Sequence, residues 1–141
     1  MQIQENFSLR PYNSFGIDVK AQFFSVFRST EELLEILASN LKPQTSNFIL
    51  GGGSNILFTK DFDGLVLKND IKGIRVIRED KDHVYVEAGA GENWHQFVLH
   101  CIENNWAGVE NLSLIPGNVG ATPMQNIGAY GVEIKEIFQE L

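Results

Sequence analysis

The chain has 141 residues and only one cysteine, Cys101, and this scarcity excludes several classes of protein. A single cysteine cannot form an internal disulfide bond, and it leaves no cysteine cluster that could hold zinc. Such cysteine usage is typical of proteins from a reducing compartment. We therefore expect a cytoplasmic protein without a metal site.

Positive charge and long apolar runs are scarce as well. Eleven lysines and arginines stand against eighteen acidic residues, and the net charge of −7 argues against general binding to nucleic acid phosphates. No apolar run reaches the ~20 residues of a membrane span, and the first residues do not resemble a signal peptide. We expect a soluble protein that binds neither nucleic acid nor membranes, although backbone amides could still form a local anion pocket.

The residues that are present indicate a globular fold with both helices and strands. Hydrophobic residues make up 43% and charged residues 21% of the chain, which is close to the average of folded domains. Apolar patterns predict single strands at 19–27, 47–50, 65–67 and 132–138. They also predict an antiparallel pair of strands at 73–78 and 83–87. Residues 61–64, Asp-Phe-Asp-Gly, are predicted to form a turn. Because strands and helices do not alternate strictly, the class is α+β or irregular α/β.

Two longer helices are predicted from capping signals and spacing. Ser29 and Glu32 have the spacing of a capping box, leucines follow at 33, 34, 37 and 41, and Pro43 ends the helix. The second helix runs from Glu92 to about Asn104, and its predicted buried stripe consists of Trp94, Phe97, Val98, Cys101 and Ile102. On that stripe the cysteine is interpreted as a core residue.

A run of three glycines after a predicted strand is the sharpest local signal. Gly51, Gly52 and Gly53 can adopt positive φ and present successive N–H groups to an anion such as a pyrophosphate. Ser54 and Asn55 add side-chain donors. The alternative is a flexible turn. A Walker loop is excluded because no Gly-Lys-Ser/Thr sequence follows.

A second glycine-rich stretch, Pro116 to Gly131, indicates a different kind of ligand. It contains glycines at 117, 120, 128 and 131 and the neutral polar residues Asn118, Thr122, Gln125 and Asn126. Glycines let the backbone approach a flat ligand, and neutral polar groups can read ring heteroatoms. A long uncharged loop in a small domain is uncommon without a ligand. The alternative is a tightly packed loop. Thr122 and Pro123 in this stretch predict a cap and the first turn of a short helix.

Other candidate sites are weaker. Gly89-Ala90-Gly91 follows a strand and precedes a helix, but the third glycine of a dinucleotide fingerprint is missing, so a structural turn is favoured. His95 and His100 are five residues apart and point to different faces of the predicted helix. No Ser–His–Asp set can be nominated from spacing alone.

Four blocks of this sequence resemble the UDP-N-acetylenolpyruvoylglucosamine reductase family in order and spacing. They are RPYNSFGID (10–18), ILGGGSNILF (49–58), VEAGAGENWHQFV (86–98) and LSLIPGNVGATPMQNIGAYGVEI (112–134). The resemblance covers nearly the whole chain, from about Arg10 to Phe138. Four blocks in the same order are far more specific than any one of them.

The resemblance implies an α+β fold, a two-lobed FAD-binding domain of the p-cresol methylhydroxylase type. The first lobe is expected at 1–70 and the second at 71–141, and we expect the second lobe to be incomplete. The resemblance implies that the FAD pyrophosphate is held by Gly51, Gly52, Gly53, Ser54 and Asn55. It also implies that the flavin is lined by Pro116, Gly117, Gly120, Ala121, Thr122, Gln125, Asn126, Gly128, Ala129 and Gly131.

The resemblance also implies a reaction. Members of this family use FAD and NADPH to reduce the enolpyruvyl ether of a UDP-sugar in peptidoglycan synthesis. The enolate that forms requires electrostatic stabilisation and a proton. The family's catalytic Arg, Glu and Ser, and its substrate-binding domain, are implied to lie beyond Leu141. We therefore nominate no catalytic residue and expect no turnover of the UDP-sugar by this chain alone.

Two other functions stay open. One is an FAD-dependent oxidase or dehydrogenase of the same fold family, many of which attach FAD covalently through a histidine or cysteine. The helical positions of His95 and Cys101 count against it. The other is a non-catalytic binding domain that keeps its glycine loops for folding reasons.

Overall fold

A computed structural model describes residues 2–39 and 45–141. The chain divides into two compact units, Met1–Ile71 and Lys72–Leu141. Each unit has its own hydrophobic core, and each is described separately below. None of the helices in the described ranges is long and apolar enough to cross a membrane.

The first unit is built on a four-stranded sheet. Its strands are β1 (Gln4–Ser8), β2 (Lys20–Phe27), β3 (Ser46–Leu50) and β4 (Phe62–Asn69), in the spatial order β1-β2-β4-β3. β1 pairs antiparallel with β2, whereas β4 pairs in parallel with both β2 and β3. The predicted strands at 19–27 and 47–50 are confirmed, and β1 was not predicted.

Helix α1 (Thr30–Ala38) confirms the predicted start. The Glu32 N–H donates to Ser29 Oγ at 3.2 Å, while the Glu32 carboxylate accepts from the Arg28 N–H at 2.7 Å. Ile36 is the buried residue, and Leu34 and Leu37 are 61% and 46% exposed. The predicted continuation through Leu41 to Pro43 lies outside the described residues.

The predicted turn at 61–64 is wrong, because β4 already begins at Phe62. A Cβ atom on Gly64 would lie 2.3 Å from the Ser46 carbonyl oxygen of the neighbouring strand. A glycine is therefore needed at this position by the close approach of two strands and does not mark a turn.

The second unit begins with a hairpin and a helix. Strands β5 (Ile74–Glu79) and β6 (Val84–Ala88) pair antiparallel as predicted, and α2 (Trp94–Glu103) follows. The buried face of α2 contains Trp94, Phe97, Val98 and Cys101 as predicted. The prediction that Ile102 belongs to this buried face is wrong, since Ile102 is 48% exposed.

The end of the second unit is more irregular than predicted. It contains α3 (Thr122–Gln125) and a short hairpin of β7 (Gly128–Ala129) and β8 (Val132–Glu133). The predicted strand to residue 138 is wrong beyond Glu133, because Ile134 begins a single 3-10 turn that buries its side chain. The predicted cap at Thr122 is wrong, because Thr122 is the first residue of α3 and Ala121 is the N-cap of this helix.

Candidate functional site

The first predicted loop, 51–55, leaves the sheet at the carboxyl end of β3. β3 is parallel to β4, with Leu50 opposite Lys68. In open sheets with parallel strands, ligands commonly bind just outside this edge. The strand thus delivers the glycine run to a position where backbone groups can face a ligand.

Several amides of this loop have no acceptor within the described part of the chain. Among the described residues, the N–H groups of Gly52, Gly53 and Ser54 donate no hydrogen bond to another protein group. A Cβ atom on Gly51 would meet nothing within 4 Å. Of the three glycines, which the sequence allows to adopt positive φ, Gly53 alone does so, at 69°. Unpaired amides beside open space are what an anion-binding backbone site requires.

Gly53 is held from the other side by the turn at 10–16. Its carbonyl oxygen accepts a hydrogen bond from the Ser14 N–H at 3.0 Å. A Cβ atom on Gly53 would lie 2.0 Å from the Tyr12 carbonyl oxygen, and the residue is buried. The alternative of a flexible turn therefore does not fit Gly53.

The turn that holds Gly53 is itself fixed to the core. The buried Asn13 side chain donates to the carbonyl oxygens of Leu9 and Ile17 at 2.8 and 2.9 Å, and accepts from the Ile17 N–H at 3.0 Å. The Tyr12 ring packs against Phe24 with centroids 5.0 Å apart. Sequence reasoning did not assign these residues to the site, because local spacing does not reveal contacts between distant segments.

The second predicted loop is fastened to the turn between β6 and α2. The backbone N–H groups of Trp94, Val119 and Gly120 donate to the carbonyl oxygens of Gly117, Glu92 and Ala90, at 3.0, 2.9 and 3.0 Å. These bonds confirm the structural interpretation of the Gly89–Gly91 turn. In addition, β6 pairs antiparallel with β5. The strands of a dinucleotide-binding unit are parallel instead.

Part of the second loop is tightly packed. The buried Asn118 side chain donates to the Gly91 carbonyl oxygen at 3.0 Å, and Thr122 Oγ1 donates to the Val119 carbonyl oxygen at 2.8 Å. A Cβ atom on Gly120 would lie 2.6 Å from the Ala90 Cβ. Packing within the protein therefore explains why Asn118, Gly120 and Thr122 occupy these positions. Their backbone groups could still contact a ligand.

The remainder of the second loop borders an open concavity of about 510 Å³. It is lined by Asn126, Gly128, Ala129, Gly131, Val132, Glu133 and Glu136. Four of these residues, at 126, 128, 129 and 131, belong to the predicted flavin set. Gln125 and Pro116 are exposed, and Ala121 and Gly117 are half-buried.

Two carboxylates that were not predicted lie at this concavity. Glu133 forms an ion pair with Lys135, and hydrogen bonding by Lys135 lowers the pKa of Glu133. The Glu136 carboxylate accepts from the Glu133 N–H at 3.1 Å. The concavity thus offers neutral backbone groups beside negative charge, which suits an uncharged polar ring better than a phosphate.

The histidine and cysteine candidates serve structural contacts. His95 Nδ1 lies 3.1 Å from Ser113 Oγ and accepts from the Leu114 N–H at 3.3 Å. Cys101 is buried, and this burial raises the pKa of its thiol to about 11. Ser113 Oγ therefore lies beside a base, but the described contacts of His95 include no carboxylate that would complete a catalytic triad, and those of Cys101 include no base.

Comparisons with known proteins give a consistent result. A sequence profile of the family described as FAD binding domain matches residues 21–141. Over 138 residues the chain is 59% identical to UDP-N-acetylenolpyruvoylglucosamine reductase of Flavobacterium johnsoniae, covering 98% of this chain and 40% of that protein. Over 141 residues it is 52% identical to the protein of the same name from Amoebophilus asiaticus, covering 100% and 42%.

A solved structure supports the same fold. The crystal structure of UDP-N-acetylenolpyruvylglucosamine reductase (MurB) from Thermus caldophilus matches with a TM-score of 0.71 and 22% identity. The match covers 95% of this chain and 46% of that chain. It confirms the predicted α+β fold class. The chain spans about 40% of the length of the curated relatives described above.

Proposed function

The chain belongs to the FAD binding domain family, and from that premise we propose that it is the FAD-binding part of a UDP-N-acetylenolpyruvoylglucosamine reductase. The whole protein would use NADPH to reduce UDP-N-acetylglucosamine enolpyruvate to UDP-N-acetylmuramate. This reaction belongs to cytoplasmic peptidoglycan synthesis, on which cell wall formation, cell shape and division depend. The high identity to relatives of that name supports the proposal.

One observation carries the assignment of FAD to this chain. The Gly52, Gly53 and Ser54 N–H groups have no acceptor among the described residues, and Gly51 leaves open space beside them. A diphosphate supplies oxygen acceptors for such amides without requiring a lysine or arginine. The residues therefore fit the group, and we propose that 51–55 hold the FAD diphosphate.

The second loop is proposed to contact the flavin. Four of its residues, Asn126, Gly128, Ala129 and Gly131, border the concavity with neutral groups. FAD supplies the capacity to accept and donate hydride when bound. The residues of this chain bind and orient it, and we assign none of them a proton-transfer role. The two compact units are proposed to be the two lobes of the FAD domain.

A bulky residue at position 51 tests the diphosphate assignment. Gly51→Val adds a β-branched side chain where the protein leaves room, so the fold should be retained. That side chain should obstruct a ligand at the loop. We expect the dissociation constant for FAD to rise at least about tenfold, or about 1.4 kcal/mol. Flavin fluorescence titration of the purified chain measures this change.

A matched control adds similar bulk elsewhere in the same unit. Ala38 is exposed at the carboxyl end of α1, away from the loop in sequence. Ala38→Val should leave FAD affinity within about twofold of the unsubstituted chain. Equal FAD affinity of Gly51→Val and the control would contradict the diphosphate assignment, and a chain that takes up no FAD would contradict the proposed function itself.

A further inference from the structure

The first glycine loop is held by a main-chain contact from a distant turn. We infer that the backbone N–H of Ser14 is a positioning group for the diphosphate-binding loop, an inference that rests on the proposed function. The Ser14 N–H donates to the Gly53 carbonyl oxygen at 3.0 Å. This bond fixes the direction in which the loop presents its unpaired amides.

The geometry of the peptide group gives this bond its effect. In a trans peptide, the carbonyl oxygen of one residue and the N–H of the next point in opposite directions. The Gly53 carbonyl points toward Ser14, so the Ser54 N–H in the same peptide plane points away from it. That N–H is one of the amides without an acceptor among the described residues. Rotation of this plane would turn the donor away from its ligand.

The neighbouring contacts leave the loop little freedom. Gly53 has φ of 69°, and its Cα approaches the Tyr12 carbonyl so closely that no Cβ fits. The Asn13 side chain makes three hydrogen bonds that hold the turn from which Ser14 donates. A rigid turn therefore sets one peptide plane of the loop, which is how binding groups are held ready before a ligand arrives.

Ser14 permits a substitution that removes the donor and keeps the β-turn. The Gly16 N–H donates to the Asn13 carbonyl oxygen at 3.1 Å, which places Ser14 at the second position of a β-turn, where proline is favoured. Asn13 has φ of −139° and ψ of 141°, the extended conformation required before proline. Ser14→Pro thus deletes the N–H and places ring atoms against the Gly53 carbonyl, while the turn itself is preserved.

The matched control is Ser14→Ala, which keeps the N–H and removes only an exposed hydroxyl. We expect Ser14→Ala to bind FAD within about twofold of the unsubstituted chain and Ser14→Pro to bind at least about tenfold more weakly. Flavin fluorescence titration gives the dissociation constants, and thermal unfolding followed by circular dichroism checks that both variants fold. Ser14→Ala should leave the melting temperature nearly unchanged, whereas Ser14→Pro should lower it by several degrees, because the Ser14 N–H is hydrogen-bonded in the fold and the proline ring meets the Gly53 carbonyl.

The outcomes separate the inference from the function on which it rests. If the unsubstituted chain and Ser14→Ala bind FAD and the folded Ser14→Pro binds equally well, the positioning inference is wrong and the proposed function stands. If the unsubstituted chain does not bind FAD, the proposed function fails first.

A measurement on the unsubstituted chain covers the case in which Ser14→Pro does not fold. Amide hydrogen exchange followed by NMR should show the Ser14 N–H protected without ligand, because it is hydrogen-bonded, and the Ser54 N–H unprotected. Addition of FAD should protect Ser54. Rapid exchange at Ser14, or no change at Ser54 under saturating FAD, would overturn the inference.

Discussion

The fold changes the chemistry of the single cysteine. Cys101 lies on the buried face of α2, and desolvation raises the pKa of its thiol from 9.0 to about 11. The folded state therefore holds this proton more tightly than the unfolded chain. The free energy of unfolding should then fall as pH rises from about 9 toward about 11.

Thiol labelling tests this environment. At pH 8 the thiolate fraction at pKa 11 is about 100-fold smaller than at pKa 9, and burial adds a steric barrier. We expect a maleimide or disulfide reagent to modify the native chain at least about 100-fold more slowly than the chain in denaturant. Cys101→Ser serves as the blank. Labelling of the native chain at the rate of a free thiol would contradict the buried position and reopen covalent attachment of a flavin through Cys101.

Single glycines show how much a sequence can say about a site. The glycine run predicted an anion-binding loop, and its unpaired amides support that interpretation. The same residue type at 64 and 120 serves close packing, because a Cβ atom would meet Ser46 or Ala90. A sequence shows where the side chain is missing, whereas only the fold shows whether protein or open space takes its place.

At the scale of secondary structure, α2 depends on a defined start. Asn93 is its N-cap, and the Asn93 side-chain oxygen accepts from the Gln96 N–H at 3.0 Å. We expect Asn93→Ala to lower the free energy of unfolding by about 1 kcal/mol, since one amide of the first turn loses its partner. Chemical denaturation followed by tryptophan fluorescence measures this change.

Tryptophan fluorescence is suited to this measurement because both tryptophans, Trp94 and Trp106, lie in the same unit as α2. Asn93→Asp is the control, because a carboxylate also caps a helix and interacts favourably with its N-terminus. If alanine and aspartate had the same effect, the loss would not arise from the cap.

The elements with strong periodic signals were predictable and the others were not. β2 and α2 carry dense apolar patterns and were predicted with nearly the right bounds. β1 was missed because its polar sequence QENFS lacks such a pattern, and it forms by pairing with β2. The strand predicted to residue 138 ends early because Ile134 turns into the core. In these cases tertiary contacts outweigh local preference.

At the scale of the whole molecule, both candidate loops were identified from sequence but their support was not. The contact between Ser14 and Gly53 joins segments that are distant along the chain. Glu133 and Glu136 line the concavity from β8 and from the 3-10 turn that follows it, and the sequence predicted neither the pairing of β8 with β7 nor this turn. Such positions depend on chain topology, which spacing within one segment does not encode.

The charge of the whole chain predicts how FAD binding responds to salt. The net charge is −7, and the predicted FAD-contact residues include no lysine or arginine. A site that relies on cationic side chains loses affinity steeply as salt rises. In the proposed site, backbone amides make the contacts with the diphosphate. The negative net charge of the protein repels the diphosphate at long range, and added salt should weaken this repulsion.

We therefore expect FAD affinity to stay constant within about threefold, or to increase, between about 20 and about 300 mM NaCl, because the Debye length shortens over this range. Flavin fluorescence titration at four salt concentrations gives the slope. The control is Gly51→Val at the same concentrations, which should be weaker throughout with an unchanged slope. A loss of affinity of tenfold or more for the unsubstituted chain would show that a cation such as Arg10 or Lys60 holds the diphosphate, and the backbone-amide site would be rejected.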